Sequence, residues 1–127
     1  TLNVDALSNN IYSIDIDVYL DGEGNAKITE TWNVNGFDGT EWYKAMYNLG
    51  NSNIYNYKVF MDGKELEFNS DWNIDMTLEE KKGYYGINYT DNGPELCFGK
   101  YDLICVICLL VFLILFRHRQ MPMKPKF

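Results

Sequence analysis

The sequence predicts a mainly β chain that ends in one short apolar helix, and three observations carry this. YSIDIDVYL (12–20) alternates apolar and polar residues over nine positions, the pattern of a strand with one buried face. Asp62-Gly63 stands between two strand-like runs as a favoured two-residue hairpin turn. LICVICLLVFLILF (103–116) holds no charged residue, and the RHRQMPMKPKF that follows it holds four cations and no anion.

Taken in order, residues 1–10 are expected to be an unstructured start or a signal-peptide remnant, since Val4 and Ala6 form a small-x-small pattern before a polar stretch. In 12–20, Tyr12, Ile14, Ile16, Val18 and Leu20 share one strand face, with Ser13, Asp15, Asp17 and Tyr19 opposite. DGEGN (21–25) is the turn, with Gly22 and Gly24 supplying positive φ. AKITETWNV (26–34) is the return strand and places Ala26, Ile28, Glu30, Trp32 and Val34 on one face. TEWYKAMYNL (40–49) fits a short helix about as well as an irregular strand. IYNYKVFM (54–61) and KELEF (64–68) flank the Asp62-Gly63 turn, and Trp72 falls in a polar connection. TLEEKKG (77–83) reads as a charged loop or one helical turn. YYGINYT (84–90) and ELCF (95–98), split by DNGP, make a third hairpin-like pair.

Charge divides the chain. All eighteen acidic residues and seven Lys/Arg lie in 1–102, a net of −11, and the other four cations lie in 117–127. This argues against nucleic acid as a partner, because 1–102 has no cationic cluster to neutralise phosphates. As a helix, the fourteen residues of 103–116 reach roughly 21 Å, short of the ~30 Å hydrocarbon core. Their composition and the flanking Arg117 and Arg119 nevertheless favour a transmembrane helix, with 117–127 as a basic cytoplasmic tail. The layout predicts a single-pass cell-membrane protein whose acidic N-terminal domain lies outside.

No catalytic constellation emerges from the residues. The lone His118 lies between two arginines beyond the apolar run, away from any Ser or Cys of the N-terminal part. Cys105-x-x-Cys108 offers two sulfurs and no further ligand, so no metal is expected there. Asp21, Glu23 and Asn25 mimic half a calcium loop, but Ala26 stands where such a loop needs Gly. Asp15 and Asp17, about 6.6 Å apart on one strand face, fit a solvated surface better than a glycosidase pair. Glu30 is the one polar residue on an apolar face, so it is paired, at the rim of a sheet, or recognises something. Trp32, Trp42 and Trp72 are candidates, with Glu30, for an aromatic binding platform, although a small β core uses the same residues. Asn88-Tyr89-Thr90 matches a glycosylation acceptor.

The opening alternating strand, the turn into Ile28-Thr29-Glu30-Thr31, the V-x-M-D-G hairpin and the E-L-C-F-G strand occur in an order that resembles a known pattern. Over residues 11–99 it resembles the amino-terminal part of a bacterial predicted-membrane-protein family, domain of unknown function 2207. The resemblance implies an extracytoplasmic, Ig-like antiparallel β-sandwich and carries no catalytic residues over. In that family the sandwich continues beyond the E-L-C-F-G strand, whereas here the apolar run follows almost at once. The chain is therefore expected to hold only part of a sandwich, either as a naturally shortened member or through a truncated or frame-shifted gene from about residue 100. A partial sandwich would leave strand edges and an apolar face exposed.

Together these readings predict a non-enzymatic, membrane-anchored bacterial surface module without cofactor or metal, contacting protein or cell-envelope glycan. The alternative is a carbohydrate- or peptide-binding sandwich that uses Trp32, Trp42, Trp72 and Glu30.

Overall fold

The computed structural model describes residues 9–36, 38–49, 53–100 and 104–114. The first hairpin forms as the alternation predicts. β1 (Asn10–Leu20) pairs antiparallel with β2 (Asn25–Asn35), in regular register from Ser13↔Asn33 to Leu20↔Ala26. Asp21 holds the turn, its Oδ1 accepting from the amides of Glu23 and Asn25 at 2.7 and 3.0 Å. Of the two glycines expected to take positive φ there, Gly24 alone does so (87°). The ambiguous 40–49 segment resolves as a strand, β3 (Glu41–Ala45).

β4 (Asn53–Met61) ends in the Asp62-Gly63 turn, where both residues take left-handed angles, 50° and 81°. The following run does not stay in one strand. β5 (Lys64–Glu65) pairs back on β4, the chain crosses at the buried Leu66, and β6 (Glu67–Phe68) joins a second sheet. The charged 77–83 stretch holds one helical turn, α1 (Leu78–Lys81). Its capping box is reciprocal: the Thr77 hydroxyl accepts from the Glu80 amide, and the Glu80 carboxylate accepts from the Thr77 amide. β7 (Tyr84–Thr90) and β8 (Gly93–Gly99) form the last hairpin.

The apolar run corrects the sequence reading most. The expected helix over 103–116 is not shown; Ile104–Ile114 form an eleven-residue strand, β9, paired antiparallel with β2 on one side and β4 on the other. A strand of that length spans about 36 Å at ~3.3 Å per residue. The absence of polar alternation, which suggested a lipid-facing helix, has another cause. A central strand with a buried face and a half-covered face reads as a continuous apolar run, and Ile, Val and Phe suit a pleated surface. Ile107, Leu109, Val111 and Leu113 make its buried row, while Cys108, Leu110 and Phe112 are half-covered. Among the described residues no helix is long and apolar enough to cross a membrane, which says nothing of strands.

The result is two sheets on one core, ordered β1-β2-β9-β4-β5 and β3-β8-β7-β6. Trp32, Val34, Val59, Met61 and the buried row of β9 meet Trp42, Leu96 and Phe98 from the second sheet. Trp32 stands edge-on to Phe98 with ring centres 5.7 Å apart, a favoured aromatic geometry. The two sheets also touch through polar groups, the Tyr85 hydroxyl donating to the Tyr57 carbonyl at 3.3 Å. Of the expected unstructured start 1–10, residues 1–8 lie outside the described residues and Asn10 already opens β1; the expected tail 117–127, with His118, also lies outside them.

Candidate functional site

The four residues predicted to bind a ligand are all inside the protein. Glu30 and Trp32 sit two apart on β2, so both point into the core, and Trp32 Nε1 donates to Glu30 Oε1 at 3.0 Å. Lys44 reaches across from β3 and places its ammonium 2.7 Å from Glu30 Oε2. Glu30 is thus paired, the first of the roles its position allowed, and the pair ties the two sheets together. Trp42 lies buried on β3, with the Lys100 ammonium 4.6 Å from its ring centre. Trp72 is the buried residue of the 69–76 connection and donates to Glu41 Oε1 at 3.3 Å. A glycan platform needs open ring faces; these rings are covered by packing, so they do not form the expected exposed platform.

A polar cluster that sequence reasoning missed surrounds Trp72. Lys81, at the end of α1, is fully buried, and its ammonium lies 2.8 Å from Glu41 Oε1 and 2.8 Å from Thr40 Oγ1. Its third acceptor is the Ile74 carbonyl. An ammonium has three donors, and three acceptors meet them here. The cluster therefore locks α1 and the 69–76 connection onto β3 and leaves Lys81 no proton for a ligand. In the sequence Lys81 stands in EEKK and looks like solvated charge; the capping box that positions it was the only legible signal.

Cys97 on β8 lies beside this cluster. Burial pushes its thiol up to about 12, and the Glu41 carboxylate pushes in the same direction. A catalytic thiol needs the opposite shift, so Cys97 behaves as a buried apolar group. The remaining sequence candidates are structural or solvated. Asp21 is drawn below the ordinary carboxylate range by the turn amides that it accepts from. Asp15 and Asp17 are exposed on β1, and Asn88 Nδ2 donates to Glu95 Oε1 at 3.1 Å. The same Glu95 accepts from the Tyr47 hydroxyl, which raises the pKa of that phenol. Cys105 and Cys108 both fall within strand β9, and Cys108 is a free, half-buried thiol. Among the described residues no three His, Cys, Asp or Glu groups gather to hold a metal.

What the molecule does present is β1. It was expected to bury one face; instead the row Ile14, Ile16, Val18 and Leu20 is exposed, from 42% at Ile14 to 60% at Leu20. The reason lies in the second sheet. Its edge strand β3 reaches β2 through Lys44–Glu30, so its rim covers β2 and leaves β1 beyond it. The cross-strand partners of these residues are Trp32, Glu30, Ile28 and Ala26, which places the row on the core-side face of its sheet. β1 is also an edge: among the described residues it pairs with β2 alone. The chain matches no protein-family model, no curated protein and no solved structure.

Proposed function

We propose that this chain is a non-catalytic interaction module, a β-sandwich that engages a macromolecular partner along the exposed edge strand β1. The observation that supports this reading is the uncovered core-side row Ile14, Ile16, Val18 and Leu20. An apolar row on an open edge is a surface another chain can complete. The ionisable groups of the interior point the same way, because Glu30, Glu41 and Lys81 are engaged in holding loops and sheets together.

The resemblance of residues 11–99 to the predicted-membrane-protein family supports a place at the bacterial cell surface, with an Ig-like sandwich outside the cytoplasm. The anchor belongs to the proposal in altered form. Residues 104–114 cannot be β9 and a helical membrane span at once, since leaving the sheet would strip β2 and β4 of their common neighbour. We therefore read the run as part of the module, and a carbonate wash of cell membranes is expected to release the chain. Retention after the wash would favour the span.

The interaction itself is tested with a photocrosslinking residue placed at Val18 or, as a control, at the exposed Asn73. In the producing cells, crosslinks to a macromolecule are expected from position 18 and not from 73. Equal yields at the two positions, or none at either, would overturn the module reading.

A further inference from the structure

We propose that β1 is a strand-addition site whose partner is an extended segment alternating apolar residues with lysine or arginine. This deepens the interaction-module reading and rests on it. Strand addition uses the free backbone groups of a sheet edge for affinity and alternate side chains for specificity. β1 supplies both. Its register is unbroken from Ser13 to Leu20, and that stretch contains no proline and no cation, two residue types that usually blunt edges. The strands at the other edges are short, with five residues in β3 and two each in β5 and β6, and the part of β4 that β5 leaves uncovered carries a cation, Lys58.

The two faces of β1 state what the added strand must carry. On the core side, Ile14, Ile16, Val18 and Leu20 call for apolar partners. On the opposite side Asp15 and Asp17 are exposed, and their cross-strand neighbours are the uncharged Thr31 and Thr29. Neither aspartate has an ion pair among the described residues. A strand with cations on that face would neutralise both while its other face covers the apolar row.

Charge also weighs against a second copy as the occupant in the central registers of β1. Antiparallel self-pairing about a two-fold centred on Asp15, Ile16 or Asp17 sets carboxylates of the two copies opposite each other. Like charges directly opposite destabilise a strand pair. The acidic surplus of 1–102 further speeds the approach of a cationic segment.

The test uses the 127-residue chain and three labelled nine-residue peptides. One alternates valine with lysine, one alternates valine with glutamate, and one has the lysine composition with its lysines in a block. Fluorescence anisotropy is expected to show the alternating lysine peptide binding at least tenfold more tightly than either of the others. Hydrogen exchange is expected to slow at the outward amides of β1. The double variant Asp15→Lys/Asp17→Lys should reverse the preference toward the glutamate peptide. The milder Asp17→Asn should weaken lysine-peptide binding without altering the urea midpoint. Equal binding of blocked and alternating lysine peptides would mean charge attraction without a strand and overturns the proposal. So would indifference to the aspartate substitutions, or self-association of the chain that displaces the peptide. Position-18 crosslinks in cells combined with no peptide preference would leave the module standing and remove this partner chemistry; absence of both would remove both.

Discussion

Glu30 shows what one buried carboxylate demands of its surroundings. At 3% exposure it cannot rely on water, so Trp32 Nε1 and the Lys44 ammonium take that role. Lys44→Ala would leave the charge facing a single indole donor, and we expect a loss of about 1–3 kcal/mol. Urea unfolding measures it, and the double variant with Glu30→Gln should recover part of the loss because no buried charge then remains. A double variant as unstable as the sum of the singles would show that the pair does not act as a unit. Gly99 illustrates a different constraint. A Cβ there would overlap the backbone carbonyl of Lys81, which cannot swing aside as a side chain could. Gly99→Ala should therefore destabilise by more than about 1 kcal/mol, while Gly22→Ala, with open space around it, should be near neutral. Similar midpoints for these two variants would contradict the close approach of α1 to β8.

At the scale of elements, β9 governs the larger sheet. Its rows differ sharply in environment: Leu109 is fully buried and Val106 is exposed. Leu109→Ala should cost about 2–5 kcal/mol, and Val106→Ala should stay within about 0.5 kcal/mol. A helix over the same residues would not impose this strand parity, so a comparable cost at the two positions would count against β9. The small α1 acts through its cap. Thr77→Ala removes the hydroxyl that accepts from the Glu80 amide, leaving the backbone amide of residue 77 still able to donate to the Glu80 carboxylate, and should cost about 0.5–2 kcal/mol. Because α1 carries Lys81 into its three acceptors, that loss should also raise hydrogen exchange around Ile74 and Trp72. Protection unchanged there would separate the cap from the cluster. The first hairpin was legible from alternation alone, since period two defines a strand whatever lies above it. Whether a given face is covered is not a property of the strand, and β1 shows this: its apolar row lies past the rim of the other sheet.

Across the whole molecule, burial sets the response to pH. Burial raises the Cys97 thiol to about 12 and also raises the Tyr57 and Tyr85 phenols. These groups stay neutral in the fold where their unfolded counterparts ionise, so the unfolded state binds fewer protons there. Stability is therefore full below the ordinary thiol value of about 9 and declines as pH rises from there toward about 12. Urea midpoints across that window should fall, and Cys97→Ala should flatten the decline; a midpoint that rises with pH would contradict the burial. At the acid end the sign is opposite. Asp21 and Glu80, both held low by amide donors, contribute above the ordinary carboxylate range and lose that contribution as pH falls through their depressed values.

Local chemistry determined the hairpins, the Asp62-Gly63 turn, the capping box and the mainly β class, because alternation, turn residues and caps act between near neighbours in the chain. It could not determine what Ile104–Ile114 would do, since an unbroken apolar run suits a buried strand and a lipid-facing helix alike. Pairing of β9 with both β2 and β4 decided that, through contacts with residues about 45 to 90 positions earlier in the chain. The same long-range packing hid Trp32, Trp42 and Trp72, drew Lys81 inside, and left the apolar row of β1 in the open. Burial depends on which sheet ends where, and no nearest-neighbour pattern records it.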